Sequence, residues 1–282
     1  MDIFAKLNNF LEDCFFDCWQ GDLIIHIVVI NDTLHEDRLA SDLFVDFDGF
    51  SVHCGQLHFF LVHFFILYSQ KNNLIIAQDW ANFNEFKMAN QSLTDLKRDQ
   101  NRVVFMGNSI TIGWLNTDPE FFKNKPYVNR GISGQTTPQM LVRFRADVLN
   151  IGAEAVVILA GTNDIAGNTG PMTLEMIVNN LKSMTEIAIA NGVKVILCSV
   201  LPAYDYPWKP GLEPNIKIPK LNALIKAYAE ENEIFYLDYF SALNNGSNGI
   251  DKKYSYDGVH LTLEGYKVLE PILEKALKEV LK

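Results

Sequence analysis

The run Ala155-Val156-Val157-Ile158-Leu159-Ala160 carries no polar side chain and passes directly into Gly161-Thr162-Asn163-Asp164. A strand with one face in water alternates apolar and polar residues, whereas an unbroken β-branched run ending at glycine reads as a strand covered on both faces. Four similar runs flank it: Arg102 to Met106 and Tyr127 to Asn129 before it, Val193 to Val200 and Ile234 to Leu237 after it. Helical patterns separate them. Thr137 then Pro138 reads as an N-cap with proline at the first helical position, and Leu141, Phe144 and Val148 supply one apolar face. Ile177, Leu181, Met184 and Ala188 repeat that spacing before an Asn191-Gly192 stop. A third helix covers about Ile218 to Asn232. The last follows the cap residue Thr262 and buries Val268, Leu269, Ile272, Leu273, Ala276 and Val280, with Pro271 expected to kink or break it. Residues 82–99 are polar with apolar points at Phe86, Met88, Leu93 and Leu96, the pattern of a helix lying on a surface. The alternation predicts an α/β fold, a three-layer sandwich of about five parallel strands covered by helices on both faces. In such sheets ligands bind beyond the carboxyl ends of the strands.

Four predicted loops reach that edge. They are Gly107-Asn108-Ser109-Ile110 after the first strand, Gly131-Ile132-Ser133-Gly134-Gln135-Thr136-Thr137 after the second, Gly161-Thr162-Asn163-Asp164 after the third, and Asp257-Gly258-Val259-His260 beyond the fifth. Together they hold the parts of a serine acyl hydrolase. Ser109 on a tight strand-to-helix turn can act as nucleophile, with Gly107 permitting a backbone that a β-carbon would obstruct. His260 is the one histidine of the αβ region and can take the hydroxyl proton, while Asp257 can bond its other ring nitrogen. The N–H groups of Ser109 and Gly134 and the side-chain amide of Asn163 are candidate donors to an oxyanion. Taken singly, each has a plainer reading: a Gly-x-Ser turn, a helix cap at Asn163, a solvated Asp-Gly-x-His loop. Their order and placement together are more specific. The chemistry calls for no metal or cofactor.

On these blocks, residues from about Gln78 to Lys282 resemble a GDSL-type esterase of the SGNH hydrolase family, whose characteristic Ser, Gly, Asn and His match Ser109, Gly134, Asn163 and His260. The resemblance implies a flavodoxin-like sandwich, a triad of Ser109, His260 and Asp257, and an oxyanion hole from Ser109, Gly134 and Asn163. The architecture is also similar to platelet-activating-factor acetylhydrolase subunits and bacterial carbohydrate acetylesterases. The chain departs from the family pattern at Asn108, an amide where a carboxylate usually precedes the nucleophile.

The expected reaction is hydrolysis of short-chain, acetyl-type esters, on a small molecule or a carbohydrate, through an acyl-serine. Rival readings are a thioesterase or lysophospholipase of the same family and a catalytically silent carbohydrate-binding homologue. Tyr204, Tyr206, Pro207, Trp208, Pro210 and Pro214 follow the fourth strand. Trp208 is the candidate substrate contact, stacking on a sugar ring or packing on a short acyl chain; equally, it could only anchor its loop. No long apolar lid segment appears in the αβ region, which favours short acyl groups. Cys198, within a predicted buried strand, reads as a small apolar residue rather than a reactive thiol.

Composition divides the 282 residues unevenly. The net charge is −10, yet residues 1–70 hold 11 Asp and Glu against 2 Lys and Arg, while the remainder is nearly balanced. With no polybasic run, nucleic acid and anionic membrane surfaces are not expected partners. The domain reading is an unassigned segment 1–77 and a hydrolase domain 78–282. The apolar run Leu57 to Tyr68 is too short to span a bilayer, which takes roughly 20 residues, but has the size of an export-signal core, with Ala77 a candidate cleavage residue. The expectation is that residues 1–55 come from an upstream start and that Leu57 to Ala77 is a degenerate or misassigned export leader. A functional leader would send the enzyme to the periplasm or outside the cell; without one it would stay in the cytoplasm. His53, Cys54, His58 and His63 are candidate zinc ligands, but their spacing matches no paired-ligand pattern, and Cys14 and Cys18 are separated by three intervening residues rather than two.

Overall fold

Five short strands, each flanked by turns of Gly, Asn or Asp, pair in the order β2-β1-β3-β4-β5 with every neighbour parallel. They are β1 (Val103–Gly107), β2 (Tyr127–Gly131), β3 (Ala155–Leu159), β4 (Lys194–Cys198) and β5 (Phe235–Leu237). The computed structural model describes residues 79–94 and 101–282. Readings that fall on residues 1–77, including the leader and the candidate zinc ligands, lie outside the described residues, as does Leu96. All of β1 and β3 is buried, as their unbroken apolar sequence requires. Each strand occurs where expected, with bounds shifted by one or two residues where the pairing partner ends.

Around the sheet lie α1 (Lys87–Thr94), α2 (Ser109–Thr117), α3 (Pro119–Phe122), α4 (Thr137–Phe144), α5 (Thr162–Ile165), α6 (Leu174–Ala190), α7 (Pro214–Glu231), α8 (Tyr239–Leu243) and α9 (Leu263–Val280). A π turn, Arg145–Leu149, continues α4. Helices α4, α6 and α7 pack in a row. On α9, Tyr266 donates its hydroxyl to the Ile110 carbonyl of α2 at 2.8 Å and stacks on Trp114, ring centroids 5.4 Å apart. Ile177, Leu181, Met184 and Ala188 of α6 are buried, as their spacing predicts, and Cys198 lies buried in β4 with its thiol pKa pushed up by that burial.

Several expectations need correcting. The α4 cap is Thr136, not Thr137: Thr136 has extended backbone and donates its N–H to Gln139 Oε1 at 3.1 Å, so Pro138 falls at the second helical position. The Thr137 N–H and hydroxyl are instead committed to Asp164 Oδ1, at 2.9 and 2.5 Å. Pro271 does not break α9, which runs unbroken from Leu263 to Val280. Its ring lies on the exposed face, where water can satisfy the carbonyl that loses its helical partner. Helix α7 starts at Pro214 rather than near Ile218 and contains Pro219. On α1, Met88 faces water and no residue is buried.

Chain order reverses between β2-β1 and β1-β3, so the crevice beside the carboxyl end of β1 is the switch point at which open parallel sheets bind ligands. The approach of α2 to β2 there is close. A β-carbon on Gly131 would collide with the Ile112 backbone nitrogen and lie 2.8 Å from the Asn108 carbonyl oxygen. Backbone cannot rotate away as a flexible side chain can, so Gly131→Ala is expected to cost about 1–3 kcal/mol, the usual range for overpacking. A lowered urea midpoint with unchanged slope would show it.

Candidate active site

Ser109 opens α2 directly beyond β1. Asn108, buried at the cap, accepts the Ile110 N–H on its side-chain oxygen at 3.0 Å. The amide of Asn108 therefore serves as the cap acceptor of α2. A β-carbon on Gly107 would lie against the Thr111 side chain and 2.9 Å from the Leu159 carbonyl, which is the obstruction the sequence predicts there. As the first residue of the helix, Ser109 has an N–H with no intrahelical acceptor, and its hydroxyl sits at the positive end of the helix dipole.

The loop before α9 builds the other half. Asp257 Oδ1 accepts the N–H groups of Val259 (2.9 Å) and His260 (2.7 Å), which folds the loop, and Oδ2 lies 2.6 Å from His260 Nδ1. Gly258, at φ 86°, makes the reversal that a β-carbon would strain. Ser255 Oγ donates to the His260 carbonyl at 2.7 Å and accepts the Gly258 N–H at 2.9 Å, fixing the loop again. His260 Nε2 then stands 2.9 Å from Ser109 Oγ. With Nδ1 donating to Asp257, Nε2 is left as the acceptor for the serine hydroxyl. Partial burial of Asp257 pushes its pKa up, but the His260 ring and the two backbone donors outweigh it and hold the carboxyl below its ordinary value.

Loops after β2 and β3 complete the crevice. Gly134 is exposed, with φ 76°, and among the described residues its N–H has no protein acceptor. Asn163, buried on α5, donates one Nδ2 hydrogen to the Gln135 carbonyl at 2.9 Å. Neighbouring Asp164 is also buried, and burial raises its pKa against the opposing pull of Thr137.

Behind these loops lies a network that the sequence reading missed. Arg143, 0% exposed, donates to Gln135 Oε1 (2.6 Å), Asp147 Oδ2 (2.7 Å), the Arg130 carbonyl (2.8 Å) and the Gly107 carbonyl (3.3 Å). The Gln135 amide in turn donates to the Ala81 carbonyl at 2.9 Å. Arg130 and Asp147 both reach Asn90 of α1, through Nη2 at 2.7 Å and Oδ1 at 2.6 Å. The available signal was Arg143 and Asp147 four apart on a helix otherwise patterned for burial.

Aromatic rings border the histidine. Trp208 lies 5.9 Å from the His260 ring, centroid to centroid, and stacks at 5.2 Å on the fully buried Tyr206. Tyr256, which the sequence reading did not single out, stacks on His260 at 5.9 Å and 11°. Among the described residues no group of three or more His, Cys, Asp or Glu is placed to hold a metal ion.

A sequence model described as the GDSL-like lipase/acylhydrolase family matches residues 105–268. Among solved structures, the chain is 47% identical to an acylhydrolase-like protein from Bacteroides fragilis, covering 72% of this chain and 99% of that one with a TM-score of 0.69. It is 44% identical to a GDSL-like lipase from Bacteroides thetaiotaomicron, covering 71% and 98% with a TM-score of 0.67. At 18% identity it shares its fold with a variant of an acetyl-xylooligosaccharide esterase from Geobacillus, covering 64% and 96% with a TM-score of 0.51. No curated protein matches the chain.

Two predictions follow from this geometry. Because the Asp257 pKa is lower in the native state than in the unfolded chain, its stabilisation is fully present above the ordinary aspartate range near 3.9 and is lost as pH falls through the depressed native value. Asp257→Asn should therefore unfold at lower urea than wild type at pH 7, and the gap should narrow at pH 3. Arg143→Ala leaves the Asp147 carboxylate buried without its partner and should cost about 3–5 kcal/mol in the same assay.

Proposed function

The chain belongs to the GDSL-like lipase/acylhydrolase family, and from that membership and the site geometry we propose that residues 78–282 form a serine esterase domain that hydrolyses short-chain, acetyl-type carboxylic esters, carbohydrate esters among them, through an acyl-serine intermediate. The observation that carries the proposal is the hydrogen-bonded series Ser109 Oγ, His260 Nε2, His260 Nδ1 and Asp257 Oδ2, with contacts of 2.9 and 2.6 Å. It joins residues 151 positions apart. A binding protein without catalysis has no use for a base aimed at a serine hydroxyl.

In this mechanism Ser109 Oγ attacks the ester carbonyl as His260 Nε2 takes its proton, and Asp257 holds the ring and stabilises the imidazolium. The carbonyl oxygen becomes an oxyanion. Its donors are the N–H groups of Ser109 and Gly134 and the second Nδ2 hydrogen of Asn163, the first being held by Gln135. The carbon–alkoxide bond then breaks and the alcohol departs with the proton from His260. Water attacks the acyl-serine by the same route, releasing the acid and restoring Ser109.

Trp208 is assigned to substrate contact, since its ring is held against Tyr206 beside His260. A carbohydrate alcohol is in keeping with the acetyl xylan esterases found among proteins of this fold. Short acyl groups agree with the sequence of the αβ region, which carries no long apolar lid segment. Among the described residues no helix is long and apolar enough to cross a membrane.

Ser109→Ala is expected to abolish both hydrolysis of a chromogenic acetyl ester and labelling by a fluorophosphonate; hydrolysis at the wild-type rate would refute the mechanism. Asn163→Ala should lower kcat by about a hundred- to thousandfold with a much smaller change in KM. In an acyl-chain series, rates should fall from acetyl to octanoyl; a maximum at long chains would move the assignment to a lysophospholipase.

A further inference from the structure

The chemistry assigned to Ser109 and His260 also fixes where the two halves of the ester must lie. The carbonyl oxygen points to Gly134 and Asn163. The departing alkoxide has to receive its proton from His260 Nε2, so the alcohol half sits beside the His260 ring. Side chains that border that ring are therefore placed to meet the alcohol half.

Two aromatic side chains are packed there. Tyr256 lies nearly parallel to His260, at 11°, yet 72% of it is exposed. Trp208 is 45% exposed although Tyr206 covers one face at 17°. Each ring thus rests against a neighbouring ring on one side and is open on the other. The loop carrying Trp208 is itself tied down, since Lys209 Nζ donates to the Ala166 carbonyl at 2.7 Å, just beyond the helix that bears Asn163. Asp205 accepts the Tyr206 N–H at 2.9 Å and the Gly211 N–H at 3.1 Å, closing the same loop. Rigid aromatic faces contribute contact area at little cost in conformational entropy.

An alkyl or lipid alcohol gains most from an enclosing apolar wall, and these rings lie open to water. A flat ligand with C–H groups on its faces and hydroxyls around its rim matches open aromatic faces, because the hydroxyls remain solvated or meet polar neighbours. We infer that Tyr256 and Trp208 form the binding platform for the alcohol half of the substrate, and that this half is the pyranose ring of an acylated saccharide. The inference rests on the esterase reading above, whose carbohydrate alcohol it narrows to a pyranose ring seated on two aromatic faces, and it adds the role of Tyr256.

Two acetyl esters that differ only in the alcohol test it: a monoacetylated methyl pyranoside and ethyl acetate, with acid release followed in a pH-stat. Both residues are exposed, so their replacement need not disturb folding. The ratio of kcat/KM for the glycoside to that for ethyl acetate should fall about tenfold in Tyr256→Ala and in Trp208→Ala, mainly through KM, and should be retained in Tyr256→Phe, which keeps the ring. An enzyme that cleaves both esters with the same ratio in wild type and both alanine variants overturns the platform and leaves the esterase reading standing. One that cleaves neither ester and is not labelled at Ser109 by a fluorophosphonate overturns both.

Discussion

The guanidinium of Arg143 is a full charge with no access to water, and the catalytic edge of the sheet is arranged around it. A buried cation is tolerated only when its donors are met, and here they are met by the carbonyls of Gly107 and Arg130, the side-chain oxygen of Gln135 and the carboxylate of Asp147. Those acceptors come from the carboxyl end of β1, the carboxyl end of β2, the loop after β2 and the π turn after α4. Satisfying one side chain thus sets the spacing between the residue two before Ser109 and the residue after Gly134. An apolar residue of similar volume could fill the space, but it would leave buried acceptors unpaired and the loops without a common anchor. Burial pushes the Arg143 pKa down and Asp147 opposes the shift, yet a guanidinium remains protonated throughout the working range.

The second half of the site is organised on a different principle. Asp257 folds its own loop with one oxygen and orients the histidine with the other, so almost all of that geometry is local to residues 255–260. One long-range contact, the 2.9 Å approach of His260 to Ser109, joins the two halves. The cap at Asn108 fits this arrangement. An amide oxygen accepts the Ile110 N–H without being ionised, so the start of α2 is held independently of pH, whereas a carboxylate cap weakens on protonation. Asn108, where the sequence departs from the pattern it resembles, therefore supplies a neutral cap acceptor.

How much of this could be read from residues alone follows the range of the forces involved. The run from Ala155 to Ala160 announces a strand buried on both faces because burial acts on every residue in it. Local signals do nearly as well: Thr262 caps α9 through the Gly265 N–H, and Asn191 and Gly192 end α6. Local rules fail where a distant group competes. Thr137 has the chemistry of a cap but is taken by Asp164, and Pro271 has the chemistry of a breaker but stands where water compensates for it. The Arg143 network was hard to read for the same reason: only the Asp147 partner lies at helical spacing, while Gln135 and the carbonyls of Gly107 and Arg130 are brought in by the fold. Tyr256 was passed over because a tyrosine beside an aspartate carries no pattern; only the stack on His260 marks it.

These two modes of construction separate what the site must conserve from what it can vary. The oxyanion side is made by loops after β1, β2 and β3, pinned from behind by a buried ion pair and its hydrogen bonds. A change there propagates to Ser109, Gly134 and Asn163 together. The alcohol side is made by residues 204–211 and 255–260, where Trp208 and Tyr256 face water and neither bonds to the Arg143 network. Replacing an open ring removes contact area without orphaning a buried polar group, which is the inexpensive kind of substitution. Selectivity for the alcohol can therefore drift while acyl chemistry stays fixed, because the Trp208 and Tyr256 rings bond to none of the oxyanion residues, although the Trp208 loop is tied to the end of α5 through Lys209 and the Ala166 carbonyl.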